Sequence, residues 1–157
     1  MPTTPVPEAA IEWSDTLLLG LPGVDEEHRT FVALLAALQQ CPDAAFEAHL
    51  DRFADHARTH FQSEDNTMEQ GGFPVRGCHM DEHAAVLRSV DAVHALVRTG
   101  DFAEGRRLAR ALADWFPGHV QHLDSALADW VCKQRFSAKP LVLRRGVARS
   151  QAEVESP

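Results

Sequence analysis

Five histidines and two carboxylates recur along this chain at spacings that would let facing helices present them to one place. They are His28, then His60 and Glu64, then His79 and His83, then His119 and Asp124. On an α-helix a step of four residues overshoots a full turn by only ~40°. The pairs His60/Glu64 and His79/His83 therefore each point one way, and each can grip one ion or an ion pair from a single helix. Imidazole nitrogens are borderline donors and carboxylate oxygens hard ones. That mixture suits iron, zinc, manganese or copper better than calcium or magnesium. A lone histidine is ordinarily a surface residue or a satisfied core residue, but seven such residues in helical register are not explained that way. Glu64 and Asp124 fall within apolar-periodic faces, where an uncompensated buried charge is costly, so ligation is the expectation for both. His56 lies one turn before His60 and could flank the site, although a bystander is the simpler reading. His49, His94 and His122 have no partner pattern and are expected to face solvent. Cys78 adjoins His79, but His79 already has a partner at helical spacing.

Helices are the elements that could position these residues. Phe31, Leu34, Leu35 and Leu38 recur at three- and four-residue spacing, so a first helix is expected from about Asp25 until Cys41-Pro42 ends it. A second is expected from about Asp43 to Gln70, with Phe46, Leu50, Phe53, Ala57, Phe61, Glu64 and Met68 on one face and Gly71-Gly72 as its stop. The third should begin near Pro74 or Val75 and run to Arg98. Asp101 and Glu104 stand at capping spacing for a fourth, which Leu108, Leu112, Trp115, Phe116, Leu123, Leu127 and Val131 carry to about Lys133, with a kink at Pro117. Residues 11–24, with Trp13 and several leucines broken by Gly20, Pro22 and Gly23, read as an irregular packed segment. The expectation is an all-α, up-down-up-down four-helix bundle over residues 11–136, between a flexible arm (1–10) and a flexible tail (137–157).

Composition narrows the function classes. A chain of 157 residues with 45% apolar and 24% charged residues reads as one globular domain with a real core. The net charge is −8, which argues against nucleic acid or an anionic membrane as partner. The longest apolar run, Phe31 to Leu38, is far short of a membrane span. Residues 1–10 lack the basic and hydrophobic stretches of a signal peptide. Cys41, Cys78 and Cys132 are odd in number and widely spaced, so reduced thiols in a cytoplasmic protein are expected.

The motifs together resemble the hemerythrin family in its bacterial single-domain form. Gly23-Val24-Asp25-Glu26-Glu27-His28 resembles the family's first ligand motif. His60-Phe61-Gln62-Ser63-Glu64-Asp65-Asn66-Thr67-Met68 is similar to its His-Phe-x-x-Glu-Glu-x-x-Met segment. His79-x-x-x-His83 resembles the third, and Trp115-Phe116-Pro117-Gly118-His119 with Asp124 the last. The resemblance covers roughly Trp13 to Lys133. It implies a non-haem di-iron site with an oxo or hydroxo bridge. One iron would take His79, His83 and His119, and the other His28 and His60. Glu64 and Asp124 would bridge them, and the second iron would keep a position for dioxygen. Trp115, Phe116, Phe61 and Met68 would line the oxygen pocket as well as the core. The chain departs from the pattern at Asp65, where a second glutamate is usual and which is expected to face water. It departs again at Phe116, where leucine is usual, and at Pro117. His119 and Asp124 are five residues apart, which on an α-helix rotates them ~140° from one another.

The implied chemistry is electrostatically plausible. Two ferrous ions, two carboxylates and one hydroxide sum to about +1, and the sum is unchanged if two electrons and the hydroxide proton pass to dioxygen, so no new charge must be desolvated. Carboxylate-rich di-iron sites carry Glu-x-x-His motifs that are absent here. Dioxygen binding for storage, delivery or sensing is therefore the leading expectation, and sensing would require a separate protein partner. The rivals are a di-iron oxidase, peroxidase or nitric oxide reductase on the same residues, and a metal-handling protein without oxygen chemistry. A phosphotransfer bundle would explain one histidine and leave six residues unexplained.

Overall fold

The computed structural model describes residues 8–137. Most of the expected arm and tail therefore lies outside the described residues. Helix α1 (Pro22–Gln40) starts three residues earlier than Asp25, because a proline in the first turn gives up no intrahelical bond. Asp25 instead turns back: its carboxylate accepts from the Leu19 N–H at 2.8 Å and the Gly20 N–H at 3.1 Å, tying the preceding segment to the helix start. That segment contains one short 3-10 turn, Asp15–Leu17, and buries Leu17. Trp13 packs on the main core, with the Arg29 guanidinium 4.8 Å above its ring.

Helix α2 (Asp43–Gly71) follows at once and closes on Gly72, whose φ of 68° is left-handed backbone that glycine adopts without strain. Helix α3 (Arg76–Arg98) begins one or two residues later than expected. Helix α4 (Phe102–His119) is capped by Asp101, whose side chain accepts the Glu104 N–H at 3.1 Å.

The fourth expected helix is not continuous. Pro117 lies within α4, and the register changes just after it, in a π-helical turn at Val120–Asp124. There the Ser125 N–H bonds to the Val120 carbonyl, five residues back. Helix α5 (Ser125–Ser137) then continues, one residue past the expected boundary of the bundle.

The helices pack in a ring, α1 on α2, α2 on α3, α3 on α4, and α4 back on α1. The main core holds Phe31, Phe46, Phe53, Phe61 and Phe116, all but fully buried. Each such side chain contributes roughly 1.5–3 kcal/mol through burial. Phe31 links α1 to α4 by stacking on Phe116 at 4.1 Å and 13°. Gly105 lets α4 come close, since a Cβ there would collide with the Phe46 ring. A smaller cluster, Met68, Phe73 and Leu127, forms beyond it, with Trp130 packed on it. The buried polar residues fall between the two clusters. Along α2 the order is Phe61, Glu64, Met68, and along the fourth helix Phe116, His119, Asp124, Leu127. Among the described residues, no helix is long and apolar enough to cross a membrane.

His94 departs from its expected solvent exposure. It is half-buried at the α2–α3 seam, 2.6 Å from an Asp51 carboxylate oxygen, near the Arg58–Asp91 and Arg98–Glu47 pairs. His49 is also half-buried, while His122 is exposed as expected.

Candidate metal centre

All seven residues singled out by spacing are buried and lie in one cluster between the helices. α1 supplies His28, α2 supplies His60 and Glu64, α3 supplies His79 and His83, and α4 ends on His119. The π turn brings in Asp124. In straight α-helix its carboxylate would be rotated away from His119. With hydrogen bonds running five residues back, the two come within 3.1 Å. A five-residue gap thus serves one site.

The donors form two unequal groups that share both carboxylates: Glu64, His79, His83, His119 and Asp124 in one, and His28, His60, Glu64 and Asp124 in the other. Each carboxylate divides its oxygens between the groups. Glu64 Oε1 lies 3.2 Å from His60 Nε2 and 3.6 Å from His28 Nε2, while Oε2 lies 3.3 Å from His83 Nε2 and 3.5 Å from His79 Nε2. Asp124 Oδ2 faces His28 Nε2 at 3.2 Å, and Oδ1 faces His79 at 2.9 Å and His119 at 3.1 Å.

This arrangement fits cations rather than a hydrogen-bond network. Both ring nitrogens of His28 and of His79, Glu64 Oε2 and both Asp124 oxygens are buried without a hydrogen-bond partner in the protein. Such atoms are rarely left unsatisfied. They lie near opposite charges but converge on shared points instead of aligning as donor and acceptor. His83 Nε2 and His119 Nε2 approach to 3.2 Å, although each ring uses its Nδ1–H elsewhere. Two lone pairs so close repel unless a proton or cation lies between them.

The electrostatics agree. Burial would lower the pKa of His28 and His79, yet the Asp124 and Glu64 carboxylates outweigh it and raise both to about 9. His60 is raised too, against burial, chiefly by Glu64. Burial pushes the carboxyls of Glu64 and Asp124 up, but the surrounding imidazoles hold both well below the usual carboxylate range. The metal-free site is therefore ionised carboxylate with protonated imidazole, and protons stand where a metal ion would compete.

Three carboxylates beside the site were not foreseen in this role. His60 Nδ1–H donates to Glu27 at 2.7 Å, His83 Nδ1–H to Asp65 at 2.8 Å, and His119 Nδ1–H to Glu82 at 2.8 Å. Such bonds fix the tautomer and leave Nε2 free to coordinate. Asp65 is thus a partner of His83 and does not simply face water. The three follow one rule: each adjoins a site residue on its own helix (His28, Glu64, His83) and reaches a histidine of the next helix. Adjacency to a site residue was the available signal, since a neighbour in sequence lies ~100° around the helix, on the flank of the site. His56 also has a role. Its Nε2–H donates to the Glu27 carbonyl at 3.1 Å, and its ring lies parallel to His60 at 6.0 Å. Burial lowers its pKa.

The residues expected to line an oxygen pocket divide. Phe116 meets His28 edge-on at 5.5 Å, with Phe31 stacked behind it. Phe61 stacks on His83 at 4.1 Å. Trp115 packs on His119 at 4.4 Å, and its Nε1–H donates to Glu82 at 3.3 Å, which puts it beside the three-histidine group and not the two-histidine group. Met68 belongs to the second apolar cluster. Phe31 is the pocket neighbour that spacing did not reveal.

Comparison with known proteins gives one answer. The model of the hemerythrin HHE cation binding domain matches residues 19–131. A bacteriohemerythrin of Ralstonia nicotianae is 37% identical over 124 residues, covering 79% of this chain and 90% of the relative. Another, of Stenotrophomonas maltophilia, is 27% identical over 127 residues, covering 78% and 82%. The crystal structure of a leucine-to-alanine mutant of hemerythrin shares the fold, with a TM-score of 0.69 and 19% identity over 78% of this chain and 97% of that one. A match that runs through all four helices of the bundle, with a relative of this similarity aligned over most of its length, makes the chain a member of the hemerythrin family.

Proposed function

We propose that the protein binds dioxygen reversibly at a non-haem di-iron centre held by His28, His60, Glu64, His79, His83, His119 and Asp124. The observation that carries this reading is the inequality of the two donor groups, three imidazoles against two, with both carboxylates shared between them. One position is then a donor short, next to Phe116 and Phe31. Two ferrous ions joined by an oxide or hydroxide bridge would supply the electrons that dioxygen takes up and gives back. The chain's own residues do the rest. Glu64 and Asp124 would bridge, one oxygen to each ion. Glu27, Asp65 and Glu82 hold three of the five imidazoles in the coordinating tautomer. Phe31 and Phe116 keep water from the short side, which protects a bound ligand from protonation and loss. A neutral-imidazole majority disfavours the high-valent states of oxygenases, so binding is preferred to catalysis. The protein is placed in the cytoplasm on the same reading as its thiols, and a sensing role would add a protein partner.

The test is a visible spectrum with an iron assay. Iron-replete protein should hold two irons per chain, be nearly colourless when reduced without oxygen, colour in air, and lose the colour when oxygen is removed. One metal per chain, or zinc alone, would overturn the di-iron reading. Irreversible bleaching with many turnovers of an oxidised substrate would favour the redox enzyme instead.

A further inference from the structure

A cleft of about 320 Å³ runs from the surface to the metal centre, between the start of α1, the middle of α2 and the length of α5. Its rim includes Ser63, Thr67 and Arg135, all exposed. Its inner end is formed by His60, Glu64 and Asp124, and His79, His83 and His119 do not border it. Glu64 and Asp124 are 7% and 2% exposed, and Glu64 Oε2 and both Asp124 oxygens lack a hydrogen-bond partner. The aromatic side is different. Phe31, Phe61 and Phe116 are at most 1% exposed and pack against the site imidazoles. A hydrated cation sheds its water only in exchange for other polar ligands, and those rings offer none.

We propose that the cleft is the route by which metal ions reach and leave the centre, and that the two positions fill in series. An ion arrives at His60, Glu64 and Asp124, and reaches the three-histidine position only by moving across the shared carboxylates. The two-histidine position is then the last to fill and the first to empty. Arg135, a cation at the rim, slows the approach of a like charge. The proposal rests on the reading that the seven residues hold two metal ions, and says nothing about what those ions then bind.

Cobalt(II) is the probe, added to the full metal-free chain and withdrawn by a chelator in stopped flow. Thr67→Trp narrows the rim at an exposed position, and should slow uptake and extraction at least tenfold while two ions per chain still bind at equilibrium. Arg135→Gln should speed uptake several-fold. When half the cobalt is withdrawn from the wild-type protein, paramagnetic NMR should find the remaining ion on His79, His83 and His119. Wild-type rates in both variants, or a remaining ion on His28 and His60, would overturn the route while leaving the two-ion reading intact. Fewer than two ions in the wild-type chain would overturn the reading on which it rests.

Discussion

The two halves of the centre use the same donors and restrain them differently. In the three-histidine half, His83 is pinned by Asp65 and stacked under Phe61, and His119 is pinned by Glu82 and covered by Trp115. In the two-histidine half, His28 has no partner at Nδ1, and His60 is held by Glu27, itself 45% exposed on the wall of the cleft. One half is built to hold what it binds and the other to exchange it. A ligand set read as a formula would miss this, because the difference lies in what stands behind each imidazole.

The harshest way to break the comparison is to remove what both halves share. Glu64→Ala should abolish binding of both ions, whereas His28→Ala should leave one ion per chain on the three-histidine side. Elemental analysis after dialysis checks both, and two ions retained in Glu64→Ala would mean that the carboxylate does not bridge. Glu82→Gln keeps the shape but weakens the acceptor behind His119. It should lower affinity at the three-histidine position by about 10–100-fold, read by competition with a chromophoric chelator.

The pH dependence of the metal-free protein sharpens the picture further. His28 and His79 are raised from 6.5 to about 9, so the stabilisation they give is complete below pH 6.5 and is lost as pH rises through about 9. Glu64 and Asp124 are lowered from 4.5 and 3.8, so their stabilisation is present above those values and is lost as pH falls below them. Thermal melts of stripped protein should therefore peak between about pH 5 and 6.5. The gap to the loaded protein should widen towards pH 9–10, where metal replaces the lost protons. A gap independent of pH would remove the proton–metal competition.

The smallest effect is expected at Phe116. Phe116→Ala should keep both irons, speed azide binding a few-fold and shorten the life of the oxygenated form. Stopped-flow mixing and autoxidation rates measure the two, and no change in either would make Phe116 a core residue only.

What could be read in the sequence was whatever repeats within one helix. His60/Glu64 and His79/His83 declare themselves by four-residue spacing, and the Phe46-to-Phe61 face of α2 by its periodicity. Links between helices leave no such mark. Glu27, Asp65 and Glu82 each act on a histidine of another helix, and His94 meets Asp51 across a seam, so none stands out from an ordinary solvated acid or imidazole. The start of α1 at Pro22 was hidden because Gly20-Leu21-Pro22-Gly23 reads as a breaker, although a first-turn proline opens a helix as readily as it ends one. Trp115 sits one residue from Phe116, and that single step around the helix is enough to put its ring on the other half of the centre.

The π-helical turn at Val120–Asp124 also bears on how this chain can change its length. In most helices one residue lost or gained is absorbed by sliding the remainder towards a loop. Here the segment between His119 and Asp124 has a fixed count. Deleting one residue would restore a plain α-helix, turn Asp124 into a different direction, and rotate all of α5 with it, including Leu127 and Trp130 at the second apolar cluster. Insertions and deletions in the fourth helix should therefore be excluded from these few positions and tolerated beyond them. A library of single-residue deletions scanned from Ala113 to Lys133 would show that boundary as a gap in the survivors.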